Sequence, residues 1–310
     1  MPASVPDLSI VATVYNDAEV VSPLVQEIFA AAEPLEISIE VVLVDDHSSD
    51  DTGGAIRAEC QRDPRVRGLT LARNYGQQIA VSAGIDAANG RYLIVMDGDL
   101  QNPPAAIPRI YAELCSSGAD VVYTISHVRN GWVDAFTSRV FWFTLERVLK
   151  VRMVKHQLMM RGMTRRVADS FRRYGESTRV VGGIMADMGF QYRVLEVENR
   201  PRVRGRSHYR FGSRVALGID LVLALSNRPL DALINLGALG VLIASIASGY
   251  HLYTFLFRDV TPGFTSLILS IVFFGSANMM ILGIIGRYLS NIYREVRGRP
   301  LYLVEKVFNH

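Results

Sequence analysis

Two uncharged apolar runs constrain this chain more than any other feature. Ala232–Phe257 spans 26 residues without Asp, Glu, Lys or Arg, and Val260–Gly286 spans 27. At about 1.5 Å per helical residue, either run exceeds the ~30 Å hydrocarbon core of a bilayer. Only Arg258, Asp259 and a Pro262-Gly263 turn separate them, which predicts a helical hairpin with both ends on one side. Arg228 precedes the hairpin, and Arg287, Arg294, Arg297, Arg299 and Lys306 follow it, so the positive-inside bias places both flanks in the cytoplasm. These runs account for a mean hydropathy of +0.19 and argue against a purely soluble protein.

The N-terminus lacks a basic stretch followed by an apolar one, so no secretory signal is expected and the first two hundred residues should stay cytosolic. Cys60 and Cys115 lie far apart without metal spacing, which fits a reducing compartment. The net charge is only +3, but Arg dominates after residue 129, which points to anionic partners of the middle section.

From Leu8 to about Tyr123, short β-branched runs alternate with helical stretches. Strands are expected at Leu8–Val14, Ile39–Val44, Val66–Leu71, Tyr92–Met96 and Val121–Ile125, with helices near 20–32, 51–62, 76–88 and 104–117. Alternation of this kind, with near-continuous apolar strands, predicts a mostly parallel α/β sheet covered on both faces. Ligands of such sheets sit beyond the carboxyl ends of the strands. The polar clusters fall there: Tyr15-Asn16-Asp17, Asp45-Asp46-His47-Ser48, Arg73-Asn74-Tyr75-Gly76 and Asp97-Gly98-Asp99. Segments 134–151 and 213–226 mix Arg with apolar residues at helical spacing, and suit either the bilayer interface or packing on the domain.

Asp97-Gly98-Asp99 at the end of a buried strand suits a hard divalent cation, Mg2+ or Mn2+, that takes its remaining oxygens from substrate phosphates. Alone, Asp-x-Asp is more often a solvated turn. Here Gln101-Asn102-Pro103-Pro104 follows directly and adds an amide oxygen. Neither a dinucleotide-type glycine fingerprint nor a P-loop is present, so phosphate binding falls to a metal and arginines. Six arginines lie between 200 and 214, among Gly205, Ser207, His208 and Tyr209. A juxtamembrane lipid anchor explains part of that run, and the apolar hairpin makes nucleic acid a poor partner. Arg129, Ser138 and Arg139 stand between the sheet and the helix at 134–151, where a guanidinium could fork onto a phosphate at the membrane surface.

Five motifs, in this order, resemble the polyprenyl-phosphate glycosyltransferases of family two. They are Ser9–Asn16, Val44–Asp50, Arg73–Gln77, Met96–Pro104 and Arg202–Tyr209; the tail from Gly283 through Tyr302 matches members with a two-helix anchor. The resemblance covers nearly the whole chain. It implies a Rossmann-like, A-type glycosyltransferase domain over 1–212, a juxtamembrane amphipathic helix at 213–228, two transmembrane helices within 229–290 (about 231–257 and 263–288), and a cytosolic tail at 291–310. It assigns Thr13, Tyr15, Asp17, Asp46, Arg73, Asp97, Arg202, Ser207 and His208 to the donor nucleotide, and Asp97, Asp99 and Gln101 to the metal. Arg129, Ser138 and Arg139 resemble the acceptor-phosphate site, and Asp99 and Arg202 carry catalysis.

The expected activity is metal-dependent, inverting transfer of a sugar from a nucleotide diphosphate, foremost UDP, to polyprenyl phosphate. The expected setting is a multi-pass protein of the cytoplasmic membrane with both termini cytoplasmic, and a homo-oligomer, with a tetramer favoured by the resemblance. An aminoarabinose-type sugar or GDP-mannose is the alternative donor. A non-catalytic nucleotide-binding adaptor is disfavoured because both Asp97 and Asp99 are present. A processive synthase is disfavoured because neither Trp132 nor Trp142 follows an arginine. Three positions depart from the family pattern: His208 replaces a lysine, His156–Met160 replaces an acidic stretch, and Arg287 replaces a glutamate.

Overall fold

A computed structural model of the chain describes residues 5–126, 154, 157–176, 179–198 and 264–309, with isolated positions at 239, 246, 253 and 257. The chain divides into two compact units, one containing the sheet together with Pro300–His310, the other containing Arg210–Arg299.

In the first unit, β1 (Leu8–Val14), β2 (Ile39–Asp45), β3 (Val66–Leu71) and β4 (Tyr92–Asp97) are parallel, with β1 between β2 and β4. Every residue of β1 and β2 is buried, which is why these strands read as continuous apolar runs rather than alternating ones. Leu8, Ile10, Ala12 and Val14 face one core with α1 (Ala18–Ala32), α2 (Thr52–Arg62) and α4 (Ile107–Ser116), while Val11 faces the other with α3 (Gln77–Ala87). Each fully buried Leu or Ile here contributes about 2 kcal/mol. A Cβ on Gly84 would stand 2.2 Å from Val11 Cγ1, so glycine is what lets α3 lie directly on β1.

Three further strands, absent from the sequence reading, complete the sheet. β6 (Gln157–Thr164) runs antiparallel between β4 and β5 (Val121–Ile125), β7 (Tyr192–Glu196) extends it beyond β5, and β8 (Val304–Phe308) pairs antiparallel with β3. The order is β7-β5-β6-β4-β1-β2-β3-β8. Helices α5 (Arg165–Arg173) and α6 (Val181–Asp187) join the core on the α3 face.

At the amino end of the sheet, Glu40 is buried on β2 and fully engaged. It accepts from Ser9 Oγ and the Asn89 N–H, both at 2.5 Å, and its second oxygen stands 3.4 Å from the Arg67 guanidinium. This one carboxylate ties β1, β2, β3 and the α3–β4 turn together.

In the second unit, α7 (Phe264–Val296) runs for 33 residues through the second expected span. Among the described residues, no helix is long and apolar enough to cross a membrane. The expected hairpin and multi-pass arrangement therefore have no support from the described structure. The helices expected at 134–151 and 213–228 lie outside the described residues, as does nearly all of the first span.

Candidate active site

The strand order reverses at β1, which opens a crevice at the carboxyl ends of β1 and β4 where α/β sheets place their ligands. β4 ends in Asp97, and Gly98 donates its N–H to Thr13 O at 2.9 Å. A Cβ at Gly98 would meet Val14 Cγ1 at 2.4 Å and Thr13 O at 2.7 Å. Only glycine permits that approach, and it carries both flanking aspartates over the end of β1. The next residue, Leu100, sits in the left-handed region at φ 57°, and the Gln101 N–H turns back to Asp99 Oδ1 at 3.1 Å.

Asp97 receives two side-chain amides. Gln77 Nε2, from the first turn of α3, donates to Oδ1, and Asn102 Nδ2 donates to Oδ2 at 3.3 Å. Burial, reinforced by the like charge of Asp99, pushes the Asp97 carboxyl up to about 6; the Gln77 amide, the Arg161 guanidinium and the Asn102 amide oppose that rise. Arg161 is itself buried on β6, opposite Val95, and spends its donors on Met159 O at 3.0 Å and Leu158 O at 3.2 Å.

The end of β2 carries two aspartates with different duties. Asp45 Oδ1 accepts from the Ser48 N–H at 2.9 Å and Ser48 Oγ at 2.5 Å, closing the turn in which His47 adopts φ 60°. Asp46 reaches across to the loop after β3 and accepts the Tyr75 and Gly76 N–H groups, each at 2.8 Å. Burial raises its carboxyl above the usual range. Gly76 has φ 90°, a conformation that favours glycine, and Arg73 lies 4.4 Å over the Tyr75 ring. At the end of β1, Asn16 Oδ1 accepts the Ser49 N–H at 2.7 Å, and the Asp17 N–H donates to Thr52 Oγ1 at 3.1 Å. The Tyr15 side chain remains exposed.

Eight of the expected residues thus gather at one end of the sheet: Thr13, Tyr15, Asp17, Asp46, Arg73, Asp97, Asp99 and Gln101. The other six, Arg129, Ser138, Arg139, Arg202, Ser207 and His208, lie outside the described residues. Sequence context assigns Arg161 and Gln77, the last residue of the Arg73–Gln77 motif, no role of their own, because each reaches Asp97 only through strand and helix packing. Asn102 had a weak signal in its place beside Gln101.

The donor set fits a hard divalent cation. It is all oxygen, it holds two adjacent carboxylates whose repulsion a cation would relieve, and the buried Asn102 Oδ1 beside it has no hydrogen-bond partner. No group of three or more His, Cys, Asp or Glu side chains suited to a metal occurs among the described residues. Such a site leaves coordination positions to ligand oxygens, as a Mg2+- or Mn2+-assisted phosphate site does.

The arrangement is thus an α/β sheet with paired carboxylates, Asp97 and Asp99, at its switch point and no glycine phosphate cradle in its sequence. The family follows: residues 9–171 match glycosyl transferase family 2, and the chain belongs to that family of glycosyltransferases. It is 32% identical over 305 residues to an uncharacterized glycosyltransferase of Synechocystis, covering 97% of this chain and 96% of that one. It is 33% identical over 312 residues to the undecaprenyl-phosphate 4-deoxy-4-formamido-L-arabinose transferase of Edwardsiella ictaluri, covering 97% and 94%. In fold it is similar to glucosyl-3-phosphoglycerate synthase from Mycobacterium tuberculosis, solved with Mn2+, UDP and phosphoglyceric acid, at a TM-score of 0.53 and 16% identity over 72% of this chain and 78% of that one.

Proposed function

We propose that this glycosyltransferase moves one sugar from a nucleotide diphosphate sugar, foremost a UDP-sugar, onto polyprenyl phosphate at the cytoplasmic face of the membrane, with inversion at the anomeric carbon. The observation that carries this reading is the placement of Asp97 and Asp99 over the end of β1 by the Gly98–Thr13 contact. The similarity to an undecaprenyl-phosphate transferase over 97% of the chain supports the acceptor.

Tyr15 and Arg73 stand at the mouth of the crevice, where an exposed ring and a guanidinium suit a nucleotide, alongside Thr13, Asp17 and Asp46. Asp97, Asp99 and Gln101 would hold Mg2+ or Mn2+, which supplies charge stabilisation of the departing diphosphate. Arg202, Ser207 and His208 complete the diphosphate contacts, and Arg129, Ser138 and Arg139 receive the acceptor phosphate. That phosphate monoester has a second pKa near 6 and arrives already anionic, so no general base is required. One of its oxygens forms the new bond to the anomeric carbon as the bond to the diphosphate breaks, and the leaving nucleotide carries away the electron pair. The chain's part is in-line placement and charge complementarity.

Membrane attachment rests on the uncharged stretch Phe264–Gly286 within α7, where Leu267, Ile271, Phe274, Leu282 and Ile285 are exposed. Apolar surface of that extent calls for a non-aqueous or protein neighbour. With the preceding uncharged run it forms the proposed hairpin, both termini lie in the cytoplasm, and the enzyme assembles as a homo-oligomer.

The test is to incubate purified protein with undecaprenyl phosphate and a panel of UDP-sugars, GDP-mannose and an aminoarabinose-type donor, then to weigh the lipid. A product heavier by one sugar residue supports the reading; a nucleotide sugar consumed without glycosylated lipid contradicts it. Arg129→Ala and Arg139→Ala should each raise the KM for polyprenyl phosphate by about tenfold and leave UDP affinity unchanged.

A further inference from the structure

Strand β8 does more than cover the edge of the sheet. It runs antiparallel to β3, so its first residues lie at the carboxyl end of β3, the end that carries the site. There Leu303 O accepts the Ala72 N–H at 2.8 Å, at the root of the loop that continues through Arg73, Tyr75 and Gly76. Along β8, Val304 faces Leu71 and Lys306 faces Thr70, which leaves Glu305 as the extra residue of a bulge. Bulges re-aim side chains, and they recur beside active sites.

The re-aimed Glu305 carboxylate stands 3.6 Å from His47 Nδ1. His47 directly follows Asp46, and the same Nδ1 lies 3.1 Å from Leu71 O. A carbonyl oxygen can only accept, so Nδ1–H is the donor to Leu71 O, with the Glu305 carboxylate beside the same nitrogen. The segment is anchored independently of this contact. Tyr302 OH donates to Asp86 Oδ2 at 2.8 Å, and Asn309 Nδ2 donates to Cys60 O at 2.5 Å and Val66 O at 2.9 Å.

We propose that Leu303–Glu305 is part of the donor-site scaffold, and that Glu305 is a positioning residue that holds His47 and, through it, the turn from which Asp46 grips Tyr75 and Gly76. It touches no substrate. The proposal rests on the reading that the carboxyl ends of β1–β4 bind a nucleoside diphosphate.

The test uses the full chain in detergent, titrated with UDP in the presence of Mn2+. Glu305→Ala should weaken UDP binding about fivefold, in the range of lost outer contacts to a binding group, while Tm moves by no more than about 1 °C. In transfer assays the loss should fall on the KM for the donor and leave that for polyprenyl phosphate unchanged. In a His47→Ala background the same substitution should add nothing, because the two side chains act as one unit. Glu305→Gln, which keeps shape and hydrogen bonding, should recover part of the loss. A Glu305→Ala protein that binds UDP as the wild type does, or that loses affinity equally with and without His47, overturns the proposal alone. A wild-type protein that binds neither UDP nor GDP overturns the donor reading, and this proposal with it.

Discussion

The two ends of the central sheet use their carboxylates in opposite ways. At the amino end, Glu40 receives a hydroxyl, a backbone N–H and a guanidinium, so its charge is spent within the fold. At the carboxyl end, Asp97 receives only neutral amides directly and has a second carboxylate, Asp99, as its nearest like charge; no Lys or Arg among the described residues comes within ion-pair distance of it. The contrast separates an end whose charge serves the fold from the end that the proposed function assigns to a ligand. A partly desolvated charge with no cationic partner among the described residues is costly, and under the proposed function the bound ion supplies the missing charge.

The largest effect should come from removing a carboxylate of the proposed metal site. Asp99→Asn keeps the shape of the side chain, and transfer should fall by about a thousandfold, the scale of losing a principal electrostatic contact to the reacting group. Its Tm should stay near that of the wild type, and EDTA should abolish wild-type activity to the same degree. Full activity in EDTA would remove the distinction between the two ends.

Glu40→Ala should do the reverse. With Arg67, Ser9 and the Asn89 N–H left without their acceptor, chemical denaturation should show a loss of about 3 kcal/mol, while activity per folded molecule is retained. Activity lost without stability would reverse the roles assigned to the two ends.

A smaller effect concerns pH in the absence of metal. The Asp97 carboxyl lies at about 6 in the fold against 3.8 in the ordinary state. A raised acid favours the fold while protonated, so this stabilisation is fully present below pH 3.8 and is lost as pH rises through 6. Wild-type stability in EDTA should therefore decline relative to Asp97→Asn across that window, by about 3 kcal/mol, and added Mn2+ should reverse the decline. A difference that stays flat with pH would show that burial does not set the state of this carboxyl.

How much of this was legible in the sequence also differs by region. β1, β3 and β5 match their expected bounds, and β2 and β4 each extend one residue further to include Asp45 and Asp97, because a strand buried on both faces leaves an unbroken apolar run. β6 hid itself by carrying Arg161 and Gly162 in its interior. That glycine is required by close packing, since a Cβ there would stand 2.4 Å from Ile110 Cγ2. β7 is a five-residue strand with mostly exposed side chains, and β8 follows a long helix and is interrupted by a bulge; neither has a clean period. The aspartates at the site were visible because they cluster at strand ends. Their partners were not: Asp46 binds a loop 29 residues away and Asp97 a glutamine 20 residues back, pairings that only the sheet order creates.

The most direct test of the account is calorimetric titration of Mn2+ into the protein with UDP present, for wild type, Asp99→Asn and Glu40→Gln. The wild type and Glu40→Gln should bind the ion alike, since Glu40 serves only the fold, and Asp99→Asn should lose the binding. Equal Mn2+ binding by Asp99→Asn and wild type would contradict it.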